Sequence, residues 1–297
     1  MELILNTNEL GYKPFLETKV DTIIIGLKDF CFNQLFSLSL NKIKTANKDL
    51  RKNNKKLYLS INCFFTEKKF TKLKGIFSKI IKLDVDKYIV SDLGVFNLFK
   101  NNNASNRVIL DLQTYVTNKY SAKSLLSLGA NRVVLSKEIT FENIIEISEF
   151  NNSNIELLVQ GYYPITYSKR HILNCYYKNN KLKKKNNIHF IKEEHRDEYY
   201  YLIENNEVLT VYYNTQYSLF NHLPELIKHK INYLRIDTNF LSEKEIKELV
   251  SFYNRGIEYI LNNKENEFNK LKASFNTKYV FSSPFLYNES FLLKEGK

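Results

Sequence analysis

Tryptophan is absent from this 297-residue chain, and cysteine (3), methionine (1), proline (4) and glycine (8) are scarce. The three thiols, Cys31, Cys63 and Cys175, form no CxxC pair and are odd in number. That argues against a disulfide framework and against a four-thiolate cluster built by this chain alone. The five histidines, His171, His189, His195, His222 and His229, lack HExxH spacing, so neither a zinc-protease site nor another metal site is expected. Neither GxGxxG nor a Walker loop occurs, which removes nucleotide cofactors held by those motifs. No run of about 18 apolar residues is present, so no membrane span is expected. The first residues, Met1 to Asn6, already read as a strand and leave no room for a cleaved leader. These absences point to the cytoplasm.

Apolar and basic residues are plentiful. Hydrophobic residues make up 43% of the chain, with 21 Tyr and 21 Phe, enough to fill a core and to exclude a disordered chain. The net charge of +12 has two explanations. Clustered Lys and Arg bind nucleic-acid phosphate by displacing counterions. An AT-rich genome also encodes a vocabulary rich in Lys, Asn, Ile, Tyr and Phe, with no ligand involved.

Eight β-branched runs carry the fold expectation: Leu3–Asn6, Thr22–Gly26, Leu57–Asn62, Tyr88–Asp92, Val108–Gln113, Val133–Glu138, Glu156–Gly161 and Tyr233–Asp237. Several are almost continuously apolar, as parallel strands buried on both faces are. Between most of them, apolar residues recur at helical spacing, as in Phe70, Leu73, Phe77 and Ile80. Thr140 with Asn143, and Ser242 with Glu245, mark helix starts. An echo precedes four of the runs (Val20-Asp21, Val85-Asp86, Ala130-Asn131, Ile231-Asn232) and favours closure over an open sheet. The expectation is α/β: one (β/α)8 TIM-type barrel domain over residues 1–297. The rhythm breaks at 162–216, where aromatic-rich runs without a clean helix predict a β-rich insertion after strand seven, with hairpin tips at 181–187 and 205–206.

Strand C-termini face a barrel's mouth, and here they end in Asn6, Asn62, Asp92, Gln113, Glu138, Gln160 and Asp237, with Lys137 and Arg235 close by. Strand ends are often polar merely because loops begin there; as a set, these residues predict a binding site. Asp92, Glu138 and Asp237 are candidate acids or bases, or metal ligands if they converge, although a salt bridge from Glu138 to Arg235 or Arg170 is an equal alternative. In the insertion, Lys178, Lys181, Lys183, Lys184 and Lys185 beside Tyr176 and Tyr177 form a candidate RNA-binding tip, with a solvated loop as the alternative.

The segment Glu156–Tyr177, ELLVQGYYPITYSKRHILNCYY, resembles the signature of peptidase family U32 through Glu156, Val159, Gly161, Tyr167, Ser168, Arg170, Leu173, Asn174 and Tyr176. Blocks such as DTIIIGLK (21–28), LYLSIN (57–62), IVSDLG (89–94), QTYVTN (113–118), GANRVVLSKE (129–138) and LRID (234–237) resemble that family in the same order. The family is named for collagenase-like peptidases, which are hydrolases. The short branch of this length is similar to the smaller subunit of a pair that hydroxylates the wobble uridine of tRNA. The resemblance thus implies tRNA and a longer U32 paralogue as partners, with prephenate as oxygen donor. Lys137, Arg170 and Arg235 would bind this dicarboxylate. The expected catalytic set becomes Glu138, Asp92, Arg170 and Asp237. Asn62, Gln113, Lys137, Gln160, Tyr167, Ser168 and Arg235 are expected to bind substrate. Family members with an iron–sulfur cluster carry cysteines where Pro164 and His171 stand here, so no cofactor is expected. Gln160 replaces the family's His before the Gly and removes an acid–base group. A collagenase-like peptidase or a non-catalytic scaffold for the longer paralogue are the alternatives.

Overall fold

Short β-branched segments with apolar residues on both faces form the strands, and amphipathic segments form the helices between them, several capped by the side chain just before their first turn. In chain order, β1 (Glu2–Asn6) and β2 (Thr22–Leu27) precede a two-residue strand, β3 (Ser37–Leu38). Then come α1 (Leu40–Lys52), β4 (Lys56–Ile61), α2 (Glu67–Ile81), β5 (Lys87–Val90) and α3 (Leu93–Lys100). They are followed by β6 (Val108–Leu110), α4 (Lys119–Ser127), β7 (Arg132–Val134), α5 (Phe141–Phe150) and β8 (Ile155–Gly161). The computed structural model describes all residues except 33–34, 152–153, 184–187, 193, 196–197, 206 and 288–297.

After β8 come β9 (Pro164–Ser168), α6 (Ile172–Asn179), β10 (Ile188–Lys192), β11 (Tyr199–Glu204), β12 (Leu209–Tyr212) and β13 (Tyr217–Ser218). The chain continues through α7 (Leu223–Lys228), β14 (Tyr233–Asp237), α8 (Glu243–Leu261) and α9 (Glu265–Lys278). Among the described residues, eight strands pair in parallel around a ring: β1, β2, β4, β5, β6, β7, β8 and β14, with β14 back against β1. This is the expected TIM-type barrel. Ile4, Ile24, Tyr58, Ile89, Ile109 and Val134 form a separate buried cluster inside it. Their neighbours, such as Leu3, Ile23, Leu57 and Ile25, pack outward into the helix-facing core.

The sequence echo has a mechanical basis at two of its positions. Asp21 accepts the Leu3 N–H at 2.7 Å and Asp86 accepts that of Leu57 at 2.8 Å, each tying a strand start to its neighbour. Thr140 caps α5, and Ser242 with Glu245 forms a complete capping box on α8.

The segment after β8 corrects one expectation. It holds a four-stranded antiparallel sheet, β10-β11-β12-β9, but also the helix α6, where no helix was expected. No side chain of its own caps α6; instead the buried Glu204 of β11 accepts the N–H groups of Leu173 and Asn174 at 2.9 and 3.0 Å. A carboxylate there also suits the helix dipole. The 205 turn is a hairpin tip, its Asn205 side chain accepting from Glu207 and Val208 N–H. The 181–187 segment instead follows a helix, and its Lys184 and Lys185 lie outside the described residues.

Candidate active site

A ladder of buried charge crosses the barrel below its mouth. Glu156, on β8, is fully buried and uses both carboxylate oxygens. Oε2 accepts from Arg132 Nε at 2.8 Å and Oε1 from Arg235 Nε at 2.6 Å. Arg235 also donates Nη1 to Asp111 Oδ2 at 2.7 Å. Arg132 lies between two rings, 5.0 Å from the Tyr58 centroid and 3.8 Å from that of Tyr233. Burial works against the charge on Arg235, yet Glu156 and Asp111 hold its pKa above the ordinary arginine value.

Above the ladder lies a cavity of about 50 Å³, lined by Asn6, Ser60, Asn62, Asp111, Gln113, Lys137, Tyr163, Tyr212, Arg235, Asp237 and Asn239 among others. At roughly 10–15 Å³ per water on this measure, it admits a carboxylate-sized group and a water or two. Asp237 is held by Asn6 Nδ2 at 3.0 Å and by the Asn239 N–H at 3.0 Å. Burial raises its pKa against the lowering effect of those two bonds. Gln113 takes a left-handed backbone, φ 61°, that costs an ordinary residue about 1–2 kcal/mol. Its side chain donates to Asp111 Oδ1 at 3.1 Å and accepts the Tyr167 hydroxyl at 3.2 Å.

Lys137 lies just beyond β7 and has neither a carboxylate oxygen within 4.0 Å nor a hydrogen bond among the described residues. Its Nζ sits 5.6 Å from the Tyr163 ring centroid. Burial lowers its pKa below the usual lysine value, opposed by the charges of Asp111, Asp237 and Glu138.

Six of the expected residues therefore meet in the mouth: Asn6, Asn62, Gln113, Lys137, Arg235 and Asp237. Others do not. Asp92 lies past the end of β5 and caps α3, accepting the Val95 N–H at 2.8 Å. Glu138, four residues past β7, is exposed. Gln160 is turned away by a bulge: Arg235 pairs with Leu158 but Ile236 with Gln160, so β8 gains a residue and its face switches. Gln160 is buried, donating to Gln216 at 2.7 Å and accepting from Tyr253 of α8 at 3.2 Å. Tyr167 packs at the rim, edge-on to Phe32 with centroids 5.2 Å apart. Ser168 accepts the Arg170 N–H at 3.2 Å, and the Arg170 side chain is exposed. Lys181 and Lys183 are exposed. Sequence reasoning missed Asp111 and Glu156; the signal for Glu156 was a carboxylate at the start of an otherwise apolar run, ELLV.

Residues 10–295 match the model of peptidase family U32. The chain belongs to peptidase family U32. Among curated relatives of this U32 chain, an uncharacterized protease of Methanocaldococcus jannaschii is 32% identical over 165 residues, 54% of this chain and 40% of the relative. The tRNA hydroxylation protein P2 of Bacillus subtilis is 22% identical over 176 residues, 59% of this chain and 57% of its own. The tRNA hydroxylation protein P of Escherichia coli is 28% identical over 123 residues, 41% of this chain and 27% of its own. The matched segments thus span about a quarter to just over half of these relatives' lengths. A solved U32 peptidase shares 11% identity over 80% of this chain and 91% of its own, with a TM-score of 0.45, too loose to add to the strand pairings above.

The family's cluster positions fall at Pro164, in the cavity wall, and at exposed His171. Cys175 is exposed on α6 and Cys63 is buried beyond β4. Among the described residues no three His, Cys, Asp or Glu side chains converge as a metal site. No helix among them is long and apolar enough to cross a membrane.

Proposed function

We propose that this U32 chain is a subunit in the 5-hydroxylation of tRNA wobble uridine, with a longer U32 paralogue as partner. The observation that carries the reading is its likeness to tRNA hydroxylation proteins P and P2 within a family match spanning most of the chain. The polar barrel mouth is the site, and it takes the carboxylate of a small anion such as prephenate. Of the three cations proposed for that anion, Arg235 is committed to Glu156 and Asp111, and Arg170 is exposed outside the cavity. Lys137 alone of the three lines the cavity without a carboxylate partner. The tRNA lies along the insertion, where the aromatics Tyr176, Phe190 and Tyr199 and the cations Lys178, Lys181 and Lys183 are all exposed. Such a surface combines base stacking with phosphate attraction. The cluster chemistry, in this reading, belongs to the partner.

A peptidase reading has weaker support, since neither histidine nor cysteine lines the cavity to activate a nucleophile. A scaffold role is favoured by the smallness of the cavity. Nucleoside mass spectrometry of bulk tRNA, from cells with and without the gene, tests the proposal. Loss of 5-hydroxyuridine derivatives is expected, and an unchanged profile in cells that normally carry them would overturn it. If Lys137→Met restores the modification as well as the native gene does, the chain acts as a scaffold.

A further inference from the structure

The mouth contains more polar capacity than its own contacts use. Among the described residues Ser60 Oγ and Asn239 Oδ1 are buried without a hydrogen-bond partner, and both residues line the cavity. Unmatched buried polar atoms cost about 1–3 kcal/mol each, so these two are available to the polar groups of whatever the cavity holds, water or a ligand. Lys137, half-buried in the same wall, has no hydrogen bond and no carboxylate oxygen within 4.0 Å among the described residues. The carboxylates around it are engaged elsewhere: Asp111 with Arg235 and Gln113, Asp237 with Asn6 and Asn239. A lysine held among carboxylates yet paired with none is poorly explained as a structural cation.

We propose that Lys137 is a nucleophile that forms an imine with the carbonyl of a small 2-oxo acid bound in the barrel mouth. This class includes the pyruvyl arm of prephenate. The inference rests on the mouth being the binding site and not on the RNA reading.

The chemistry balances without a cofactor. The Nζ lone pair attacks the ligand's carbonyl carbon, and the carbonyl π electrons pass to oxygen. Asp237 takes a proton from the nitrogen and passes it to that oxygen. The carbinolamine then expels water as the C=N bond forms, so amine and ketone give imine and water. The environment suits both partners, since burial favours the neutral amine of Lys137 and the neutral acid of Asp237. Ser60 Oγ lies in the same wall to donate to a ligand oxygen, and Asn239 Oδ1 to accept from the carbinolamine hydroxyl or the expelled water.

The test is reductive trapping on the full native chain with pyruvate and cyanoborohydride at pH 7, read by peptide mapping. A lowered pKa raises the neutral, nucleophilic fraction, so adduct at Lys137 should exceed that at an average surface lysine. Lys137→Arg should lose this adduct while surface labelling continues, and Asp237→Asn should slow its formation. A folded Lys137→Arg protein is recognised by an unchanged melting curve. Should that variant misfold, the wild-type map still decides. Adduct spread evenly over surface lysines, or an unmodified Lys137, would overturn the proposal. Neither outcome touches the nucleoside profile, so failure here and failure of the RNA reading are separable.

Discussion

Replacing Glu156 by glutamine removes the charge on which two buried arginines converge. Arg235 would keep Asp111 at 2.7 Å. Arg132, 1% exposed, would keep no carboxylate within 4.0 Å among the described residues, only the faces of Tyr58 and Tyr233. Breaking one side of a buried ion pair costs about 3–5 kcal/mol, because the remaining charge is stranded in low dielectric. For 297 residues the unfolding entropy is about 0.6 kcal/mol/K, so the melting temperature should fall by roughly 5–8 °C. Differential scanning calorimetry reads this directly. The loss should persist in about 0.5 M salt, since buried pairs are screened far less than exposed ones. The Glu156→Gln, Arg132→Met double variant strands no such charge on Arg132 and should recover part of the loss. A fall of less than about 2 °C in the single variant, or a double variant worse than both singles, would refute the argument that this ladder is an obligatory ionic unit.

Gly161 has φ 132°, and a Cβ there would meet the Asp237 carbonyl oxygen at 2.5 Å. Gly161→Ala should therefore cost at least about 1–3 kcal/mol in urea denaturation, from the backbone conformation alone. Asp237 has a raised native pKa, so its contribution to stability is fully present below its unfolded value of 3.8 and is lost as pH rises through the native value. Asp237→Asn should thus gain melting temperature relative to the native chain as pH climbs through that window; a constant difference would contradict the burial argument. Glu204→Ala removes the remote cap of α6 and should speed hydrogen exchange at Leu173 and Asn174, with barrel amides unchanged. Unchanged exchange at those two amides would show that α6 needs no such cap.

The amino-acid sequence by itself determined the barrel. Each of its eight strands was legible because a β-branched run buried on both faces leaves a local signature, and the helices after β7 and β14 were legible because Thr140 and Ser242 cap them from within. The runs ending in Asp92, Gln113 and Glu138 were read too long: β5, β6 and β7 stop at Val90, Leu110 and Val134, and polar residues beyond them belong to loops and caps. What only the tertiary structure decided depends on partners distant in sequence. The cap of α6 comes from Glu204, about 30 residues away. The bulge that turns Gln160 out of the mouth exists only in the register of β8 against β14. Arg235 is taken by Glu156 and Asp111, 79 and 124 residues off, and Lys137 keeps no carboxylate oxygen within 4.0 Å among the described residues. Periodicity is a short-range property and survives in the sequence. Ion pairing in a closed barrel depends on which side chains the ring brings face to face, and no local pattern encodes that.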